Sequence, residues 1–420
     1  MKPNRKVYVV GGDITTFIGK NHPDFIWKRH PDFGTKENPT LEELTTKAIL
    51  GACEKTGVKP EQIQRGYIGN FAGELFSNQG HMGAMAVRAH ESLRGTPFIR
   101  VEGACASGAL AVVGAIESLQ AGLDIVMATG SEVQTTVSAR EGAGYLARAS
   151  HWETEREIDD FTFPAMFARR AKHYKEAYGA TDADIAHVTV KAYSNGNKNP
   201  LAHMRTVEMT LENASTPGDR NPQFLKNEDL REHLKVSDCS QVSDGAAALI
   251  LATEEGLKKI GKTPADCIEV TSYGVATSPL GDVDDFTFMG NTHKAATEAY
   301  ADGELSAQDI QICEVHDCFA IAEVLMTEAL GFAERGKGTD LVKSGATAID
   351  GSIPVNTGGG LIAFGHPVGA TGVKQTLEIF RQMKGQCGDY QVPNKPQIGL
   401  SANMGGDDRT SVVITYKNLG

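Results

Sequence analysis

Hydrophobic and polar positions along the chain follow the periods of strands and helices in turn. An apolar run at residues 7–10, VYVV, predicts a first buried strand. Thr40 and Glu43 then stand at capping-box spacing, which predicts the start of a helix. The apolar positions of that helix recur at helical intervals: Leu41, Leu44, Ala48 and Ala52. A second strand is predicted at residues 67–71, YIGNF.

The same order continues further along the chain. Residues 105–122 predict a helix that ends at Gly122 and has one apolar face, formed by Ala109, Val112, Val113, Ile116 and Leu119. The buried strand DIVMAT follows at residues 124–129. Alternation of this kind is typical of an α/β fold in which helices cover a sheet.

A change in composition and a short repeat indicate how the chain is divided. Residues 135–240 are more charged, richer in aromatic residues and Asn, and lack clear strands, so we expect an insertion lying over the core. The α/β alternation resumes at residue 267. GVKPEQIQ at 57–64 and ELSAQDIQ at 304–311 are similar stretches 247 residues apart, and each precedes a short apolar strand. We therefore predict two duplicated halves, residues 1–265 and 266–420, with the insertion in the first.

Composition and charge exclude several classes of protein. A 420-residue chain with 40% hydrophobic and 22% charged residues is typical of a globular protein with a large core. Its net charge of −12 argues against a general binder of nucleic acid or membrane surfaces, because both are polyanions. The seven cysteines are odd in number, widely spread and free of CxxC spacing, which favours a reducing compartment over a disulfide framework.

The ends of the chain give no targeting signal in the sequence. VYVV is too brief for a secretion signal or a membrane span, and the C-terminal TYKNLG has no retention, peroxisomal or lipidation motif. We therefore expect the cytoplasm or a reducing organelle such as the mitochondrion.

Cys105, in EGACASGA, is the first candidate for chemistry. It stands where a loop becomes a helix of small residues, and a thiol at a helix N-terminus is expected to have a lowered pKa. The small neighbours leave room for a substrate and for a backbone N–H to reach a developing oxyanion. The alternative is a cysteine that merely fills a tightly packed helix.

The glycine-rich stretch NTGGGLIAFGHPVGATG, residues 356–372, contains the second candidate, His366. Its glycines indicate close backbone approach, and a helix is predicted to start near Ala370. A phosphate-binding loop is the rival interpretation. No GxxxxGK[ST] motif is present, however, and Lys374 stands at the wrong spacing.

EVHDCFA, residues 314–320, crowds His316, Asp317 and Cys318 beside Cys313. Three explanations compete: a metal site, a redox pair, and a general acid/base group that acts with a nucleophile elsewhere in the chain. Zinc bound by Cys105, His316, Cys318 and His366 is the metal alternative. Structural zinc sites usually place paired ligands two to four residues apart on knuckle-like turns, which His-x-Cys at a strand end does not provide.

Together these motifs resemble the thiolase family, and within it the sterol-carrier-protein-2 type, over nearly the whole chain. The motifs are CASG at Cys105, DCSQVSDGAAALIL at 238–251, HDCF at 316–319, GHPVGATG at 365–372 and NMGGDDRT at 403–410. NKNPLAHMR at 197–205 resembles the family's inserted loop domain. The resemblance implies two duplicated α/β halves in an α-β-α-β-α layering with that loop domain inserted.

One departure from the common family pattern explains the crowded segment. Most thiolases have Asn-Glu-Ala-Phe where this chain has HDCF, and a second catalytic cysteine where it has Asn403. The resemblance therefore implies that Cys318 replaces that cysteine, as in the sterol-carrier type. Cys313 has no assigned role and is predicted to fill the strand.

The resemblance also implies a two-step acyl transfer. His366 would take the proton of Cys105, whose thiolate attacks a 3-ketoacyl-CoA to form an acyl-enzyme. Cys318 would protonate the departing acetyl-CoA carbanion and then deprotonate CoA, or activate acetyl-CoA in the reverse condensation. His316 and His366 would form one oxyanion pocket, and the N–H groups of Cys105 and Gly405 the other.

CoA is a polyanion, so this acidic chain needs positively charged side chains where CoA binds. Candidate contacts are Arg169, Arg170, Lys172 and Arg205, with Ser272 beside the pantetheine arm. The resemblance implies CoA as substrate, no metal or redox cofactor, and a homodimer or homotetramer. The motifs do not distinguish an enzyme of fatty acid β-oxidation from one of acetoacetyl-CoA synthesis.

Two rival functions are considered. Ketoacyl-carrier-protein synthases and hydroxymethylglutaryl-CoA synthases share the fold and a helix-start cysteine, but HDCF together with GHP suits neither. A thiolase-shaped acyl-CoA- or lipid-binding protein, or an assembly subunit without turnover, is the other. Survival of Cys105, Cys318 and His366 argues against it.

Overall fold

The computed structural model describes residues 1–420, and its strands form a single mixed sheet. The strands are β1 (Val7–Ile14), β2 (Arg65–Gly69), β3 (Phe98–Val101), β4 (Ile125–Glu132), β5 (Gly245–Ala252), β6 (Ile268–Thr277), β7 (Ile312–Glu314), β8 (Ile398–Gly405) and β9 (Thr410–Asn418). Their order across the sheet is β3-β2-β4-β5-β1-β6-β9-β8-β7. The strands predicted at VYVV, YIGNF and DIVMAT are confirmed as β1, β2 and β4.

The sheet repeats one pattern in each half of the chain. β2 and β4 are parallel, and β4, β5 and β1 follow antiparallel; likewise β7 and β8 are parallel, and β8, β9 and β6 follow antiparallel. In the first half, β3 pairs with β2 in parallel. At the corresponding place in the second half, an isolated parallel bridge joins Cys313 of β7 to Val355. The predicted duplication is confirmed by this shared topology, while the division at residues 265/266 stays a prediction.

The two similar octapeptides occupy equivalent places. The Gln64 N–H donates to the Ile125 carbonyl at 3.0 Å, and the Gln311 N–H donates to the Ile398 carbonyl at 3.0 Å. Each glutamine side chain also accepts a backbone N–H from the segment entering the neighbouring strand, at Ile125 and at Gln397. The sequence similarity therefore marks the same strand-pairing device in both halves.

The helices cover both faces of the sheet. They are α1 (Leu41–Thr56), α2 (Gly73–Phe76), α3 (Met82–Val87), α4 (Ser107–Gln120), α5 (Ala139–Leu146), α6 (Trp152–Glu155), α7 (Thr162–Tyr178), α8 (Asp182–Gly196), α9 (Leu211–Ser215), α10 (Glu228–Arg231), α11 (Glu254–Lys259), α12 (Gly290–Gly303), α13 (Ala320–Ala329), α14 (Gly338–Lys343) and α15 (Thr371–Met383). The predicted capping box is present at the start of α1, between Thr40 and Glu43. None of the helices combines the length and apolar character needed to cross a membrane.

Alternating side chains of β1 show the layering. Val7 and Val9 pack in one hydrophobic cluster with α4 and α15, whereas Tyr8 and Val10 pack in another with α1. β9 does the same in the second half: Ile414 faces α15, and Val413 faces the cluster around α12 and α13. The two halves of this one sheet thus enclose the central helices α4 and α15, with further helices outside each half, and the predicted layered α/β fold is confirmed.

Residues 135–240 form helices without a named strand, as predicted for the insertion. α7 and α8 belong to the same hydrophobic cluster as α13, through residues such as Phe167 and Val188. The insertion therefore packs directly over the segment that contains His316 and Cys318.

Candidate active site

The predicted nucleophile, Cys105, lies in a short 3-10 turn, Ala104–Ala106, that leads directly into α4. Ala104 has a φ of 52°, in the left-handed region that alanine rarely adopts, and strain of this kind is concentrated at functional sites. The backbone N–H of Gly406 is one of the groups that lower the pKa of the Cys105 thiol. The thiol is therefore presented at the start of a central helix, against the turn between β8 and β9.

The acidity of Cys105 differs from the sequence prediction. Burial is the main cause that raises the pKa of this thiol to about 12; the Gly406 N–H opposes the rise, and the carboxylates of Glu132 and Glu102 add to it. Although the residue keeps some exposed surface, desolvation of a thiolate outweighs the nearby N–H groups. The predicted lowering of the pKa was wrong, and Cys105 is a neutral thiol at pH 7.

Two histidines face this thiol. The sulfur of Cys105 and a ring nitrogen of each of His316 and His366 lie within 4.8 Å of one another. The two imidazole centroids are 4.9 Å apart, and the rings meet edge to face at 85°. Three residues singled out in the sequence are thus brought together from three separate segments.

Hydrogen bonds fix the tautomer of His366. Its Nδ1 lies 2.7 Å from the Thr371 hydroxyl, which donates to the Pro367 carbonyl at 3.1 Å. Because the hydroxyl proton is committed to that carbonyl, the hydroxyl accepts from Nδ1–H, and Nε2 keeps its lone pair. Burial lowers the pKa of His366 to about 3 and keeps the ring neutral. This histidine is prepared to act as a base.

His316 is held in the opposite tautomer. The side-chain N–H of Asn403 donates to its Nδ1 at 2.8 Å, so the ring proton is on Nε2. Burial and the neighbouring His366 lower the pKa of His316 well below its usual value. This ring is therefore a neutral hydrogen-bond donor, complementary to His366.

Cys318 lies two residues before α13 and is almost buried. Burial raises its pKa well above the usual value, and negative charge on Asp317, or on Cys105 once that thiol loses its proton, raises it further. Cys318 does not join the group of ligand atoms within 4.8 Å of one another. The four-ligand zinc arrangement considered from the sequence is therefore not assembled.

A buried charge network anchors the segment that carries His316 and Cys318. The Asp317 carboxylate accepts the Leu361 N–H at 2.6 Å, and Glu314 forms an ion pair with Lys374 of α15 at 2.9 Å. Burial raises the pKa of Glu314 to about 7 and that of Asp317 well above its usual value. These contacts tie the His316 segment to the helix that follows His366.

The turn after β8 lies directly on the nucleophile loop. A Cβ added at Gly405 would stand 2.0 Å from the Gly103 carbonyl oxygen, so only glycine fits there. The N–H that lowers the pKa of Cys105 belongs to Gly406, one residue further on. The assignment of the Gly405 N–H to an oxyanion pocket stays a prediction.

Two of the predicted CoA contacts are not available to a ligand. The Ser272 hydroxyl is buried in β6 and donates to the Ala299 carbonyl at 2.6 Å. Arg170 is only 1% exposed, and its guanidinium pairs with the buried carboxylate of Asp407. Both predictions were wrong because these polar groups are already bonded inside the core.

The other three predicted contacts, Arg169, Lys172 and Arg205, keep their side chains nearer the surface. Lys172 is half-buried on α7, and its contact with CoA stays a prediction. Arg169 is half-buried, with its guanidinium 4.3 Å above the centre of the Phe286 ring. Arg205 is partly exposed and lies 3.9 Å from the Asp24 carboxylate. For Arg169 and Arg205 a contact with CoA stays a prediction.

Sequence reasoning missed the residues that prepare the histidines. Thr371 stands five residues after His366 at the start of α15, and Asn403 was noted only as the replacement of a cysteine. Glu132 was also missed; its buried carboxylate accepts backbone N–H groups of Phe71, Ala72 and Gly369. A charged residue at the end of an otherwise uncharged strand was the one signal for Glu132.

Comparison with known families covers most of the chain. Residues 32–255 match the family model described as thiolase, N-terminal domain, and residues 272–418 match the model described as thiolase C-terminal domain-like. An acetyl-CoA acetyltransferase from Methanothermobacter thermautotrophicus is 36% identical over 89% of this chain and 94% of the relative.

Two more distant relatives extend the comparison. Benzoylsuccinyl-CoA thiolase subunit BbsB of Thauera aromatica is 29% identical over 97% of each chain. Sterol carrier protein 2 of Homo sapiens is 27% identical over 99% of this chain, which spans 72% of that protein. The predicted resemblance to the sterol-carrier type is confirmed by relatives of that name.

Solved structures share the fold. An Ltp2-ChsH2(DUF35) aldolase structure matches with a TM-score of 0.77 at 19% identity, covering 100% of this chain and 99% of the other. Human mitochondrial 3-ketoacyl-CoA thiolase in complex with CoA matches with a TM-score of 0.72 at 17% identity, covering 100% of both chains.

Proposed function

This chain belongs to the thiolase family, and we propose that it cleaves a 3-ketoacyl-CoA with CoA through an acyl-enzyme on Cys105, or runs the reverse condensation. Thiolase-type acyl transfer, the activity of an acetyl-CoA acyltransferase, is supported by the family and by relatives named acetyl-CoA acetyltransferase. The roles of individual residues and the choice of substrate are the proposed part.

One observation carries the assignment of roles: the hydrogen-bond partners of the two histidines beside Cys105, Thr371 and Asn403, assign them opposite tautomers. The free Nε2 of His366 can accept the Cys105 proton, while the Nε2–H of His316 can donate to an oxygen on which negative charge develops. A core that only needed to bury two histidines would not require this division.

In the first step the proton of Cys105 moves to His366, and the sulfur bonds to the keto carbon of the substrate. The bond between the keto carbon and the neighbouring carbon then breaks, leaving an acyl-thioester on Cys105 and an acetyl-CoA carbanion. Cys318 donates its proton to that carbanion. In the second step Cys318 takes the thiol proton of CoA. The CoA sulfur bonds to the acyl carbon as the bond to Cys105 breaks, and His366 returns its proton to the departing Cys105 sulfur.

The pKa values support general-base catalysis and argue against a preformed ion pair. With a pKa of about 12 for Cys105 and about 3 for His366, the proton stays on sulfur in the free protein. Transfer becomes favourable only as the sulfur bonds to carbon and charge moves to the substrate oxygen. The Nε2–H of His316 would stabilise that oxygen, and losing one such donor typically lowers kcat ~100-fold or more.

CoA esters are the proposed substrates, with Arg169 and Arg205 as contacts for the polyanionic end. A structural neighbour was solved with CoA, which supports a site for this ligand in the shared fold. Degradation of fatty acyl chains, as in β-oxidation and lipid metabolism, is proposed alongside the synthetic direction. Seven free cysteines support work in a reducing compartment such as the cytoplasm.

A homodimer is proposed, and the free edge of β3 supports it. β3 ends the sheet, so one row of its backbone groups lacks a strand partner, and Ile99 is 44% exposed there. Pairing of two such edges would cover both. Sedimentation of the wild type and of Ile99→Lys tests this: a dimer that dissociates in the variant supports it, and an unchanged dimer places the contact elsewhere.

The activity is tested by the loss of 3-ketoacyl-CoA absorbance when CoA is added. Acetoacetyl-CoA and a long-chain homologue should both be used, with wild type, Cys105→Ala and Cys318→Ala. Cys53→Ala is the matched control, because that cysteine is buried in α1 on the outer layer. Turnover lost in the two site variants and kept in the control is expected. Binding of CoA esters without any turnover would favour the non-catalytic alternative.

A further inference from the structure

The turn between β8 and β9 contains two buried aspartates that point to different partners. The Asp408 carboxylate accepts the backbone N–H groups of Asn291 and Thr292 at 2.9 and 3.0 Å, and so caps α12. Asp407 faces α7, where its Oδ1 pairs with the guanidinium of Arg170. Its second oxygen, Oδ2, is buried without a partner. Arg170 is therefore the one side chain that pairs directly with Asp407, while the charge of Arg169 acts on this carboxylate without an ion pair.

Arg170 makes further contacts that a ligand-binding arginine would not need. Its Nη1 donates to the carbonyl oxygens of Phe286 and Phe288 at 3.1 Å each, and to that of Asp285 at 3.3 Å. The side chain thus joins α7, the segment before α12 and the β8–β9 turn. Losing it would leave a carboxylate and several carbonyls unsatisfied in the core.

This turn packs on the loop that carries Cys105. A Cβ added at Gly405 would stand 2.0 Å from the Gly103 carbonyl oxygen, so the two loops are in close contact, and the N–H of Gly406, next to Asp407, lowers the pKa of Cys105. The charge of Asp407 also reaches Cys318 and raises the pKa of that thiol. Both thiols therefore depend on where Asp407 lies and on whether its charge is balanced.

We infer that Arg170 is a positioning residue that, through Asp407, holds the Gly405–Gly406 turn against the Cys105 loop and neutralises the carboxylate whose charge acts on Cys318. The inference rests on the proposed role of Cys105 as nucleophile. Arg170 touches neither substrate nor reacting atom. It acts through the turn, so its loss should change the reactivity of Cys105 and kcat more than the KM for CoA esters.

The test compares Arg170→Met, Arg170→Lys and the double variant Arg170→Met/Asp407→Asn with wild type. Arg5→Met is the matched control, because Arg5 also pairs with an aspartate, Asp124, and donates to two backbone carbonyls, but far from the site. The readouts are the rate of Cys105 alkylation by iodoacetamide at several pH values, kcat and KM with acetoacetyl-CoA, and the midpoint of thermal unfolding.

Arg170→Met should slow alkylation of Cys105 about tenfold at a given pH, since only the thiolate reacts. It should lower kcat roughly 100-fold with little change in KM, as expected when a reacting group is misplaced by about 1 Å. Arg170→Lys should recover part of both. The double variant should be less impaired than Arg170→Met, because no unpaired carboxylate then remains buried in the β8–β9 turn. Arg5→Met should lose stability while keeping the alkylation rate and kcat.

Other groups near Cys105 that could shift its titration are Glu132, Glu102, His316, His366 and Cys318, and all are unchanged in these variants. Wild-type alkylation and kcat in Arg170→Met would overturn the inference. A raised KM with unchanged kcat in Arg170→Met would also overturn it, because that result would indicate a direct contact between Arg170 and CoA. If Arg170→Met does not fold, Arg170→Lys and Asp407→Asn give the same comparison. If wild type shows no turnover but Arg170→Met still changes the rate of Cys105 alkylation, the proposed function is refuted and the positioning role of Arg170 is kept.

Discussion

Replacing Thr371 with valine tests the tautomer assignment of His366 directly. Valine keeps the shape of threonine but removes the hydroxyl that accepts from Nδ1 at 2.7 Å. The ring is almost fully buried, so water cannot easily replace that acceptor. The tautomer with the proton on Nδ1 and a free Nε2 then loses its only fixed partner.

The size of the effect follows from one buried hydrogen bond. A buried donor left without a partner costs ~1–3 kcal/mol. This penalty acts on the reactive tautomer and not on the alternative, whose Nε2 proton can point toward Cys105. At about 1.4 kcal/mol per factor of ten, the reactive tautomer falls roughly tenfold or more in population, and kcat should fall with it.

Thr376→Val is the matched control for this prediction. Thr376 lies on the same helix, is equally buried, and bonds the Tyr416 hydroxyl at 2.9 Å without contact to either histidine. Thiolysis of acetoacetyl-CoA and alkylation of Cys105 should be measured for both variants. Thr371→Val should lose kcat while Thr376→Val loses only stability. Equal activity in the two variants would refute the assignment of His366 as a base oriented by Thr371.

Three further predictions concern the surroundings of Cys105. Asn403→Leu should lower kcat at least tenfold, because the Nε2–H tautomer of His316 is no longer held; steady-state rates equal to wild type would contradict that role. Cys318→Ala should lose turnover by ~100-fold or more while Cys105 is still alkylated, so loss of alkylation would show that Cys318 acts on the nucleophile instead. Burial raises the pKa of Glu132 to about 7, so the folded protein holds this proton between pH 4.5 and 7, and its contribution to the free energy of unfolding falls as pH rises. Glu132→Gln should therefore gain roughly 3 kcal/mol relative to wild type between pH 4.5 and 7.5 in urea titrations, and parallel pH curves would contradict the buried, proton-holding carboxyl.

Local signals in the sequence were sufficient for the elements that frame the site. Three of these elements depend only on neighbours within a few residues: the cap at Thr40, the helix after Cys105 and the apolar strand before Glu132. Each is present in the structure. The similar stretches at 57–64 and 304–311 also marked a true equivalence, because both start the same strand pairing.

Long-range contacts explain what the sequence could not predict. The partner of His316 comes from Asn403, 87 residues away, and that of Arg170 from Asp407, 237 residues away. A helix-start cysteine suggested a lowered pKa, but burial by the insertion and the second half reverses it for Cys105. Charge alone suggested that Arg170 binds a polyanion, although its partner lies inside the protein.

The central claim is that Cys105 carries the acyl group, and covalent trapping tests it most directly. The protein is mixed with acetoacetyl-CoA without free CoA, quenched in acid, digested and analysed by mass spectrometry, with Cys105→Ala and Cys53→Ala in parallel. The account predicts an acetyl group on the peptide containing Cys105 in wild type and in Cys53→Ala, discharged when CoA is added before the quench. Turnover without any acyl group on Cys105, or with the acyl group on Cys318, would contradict it.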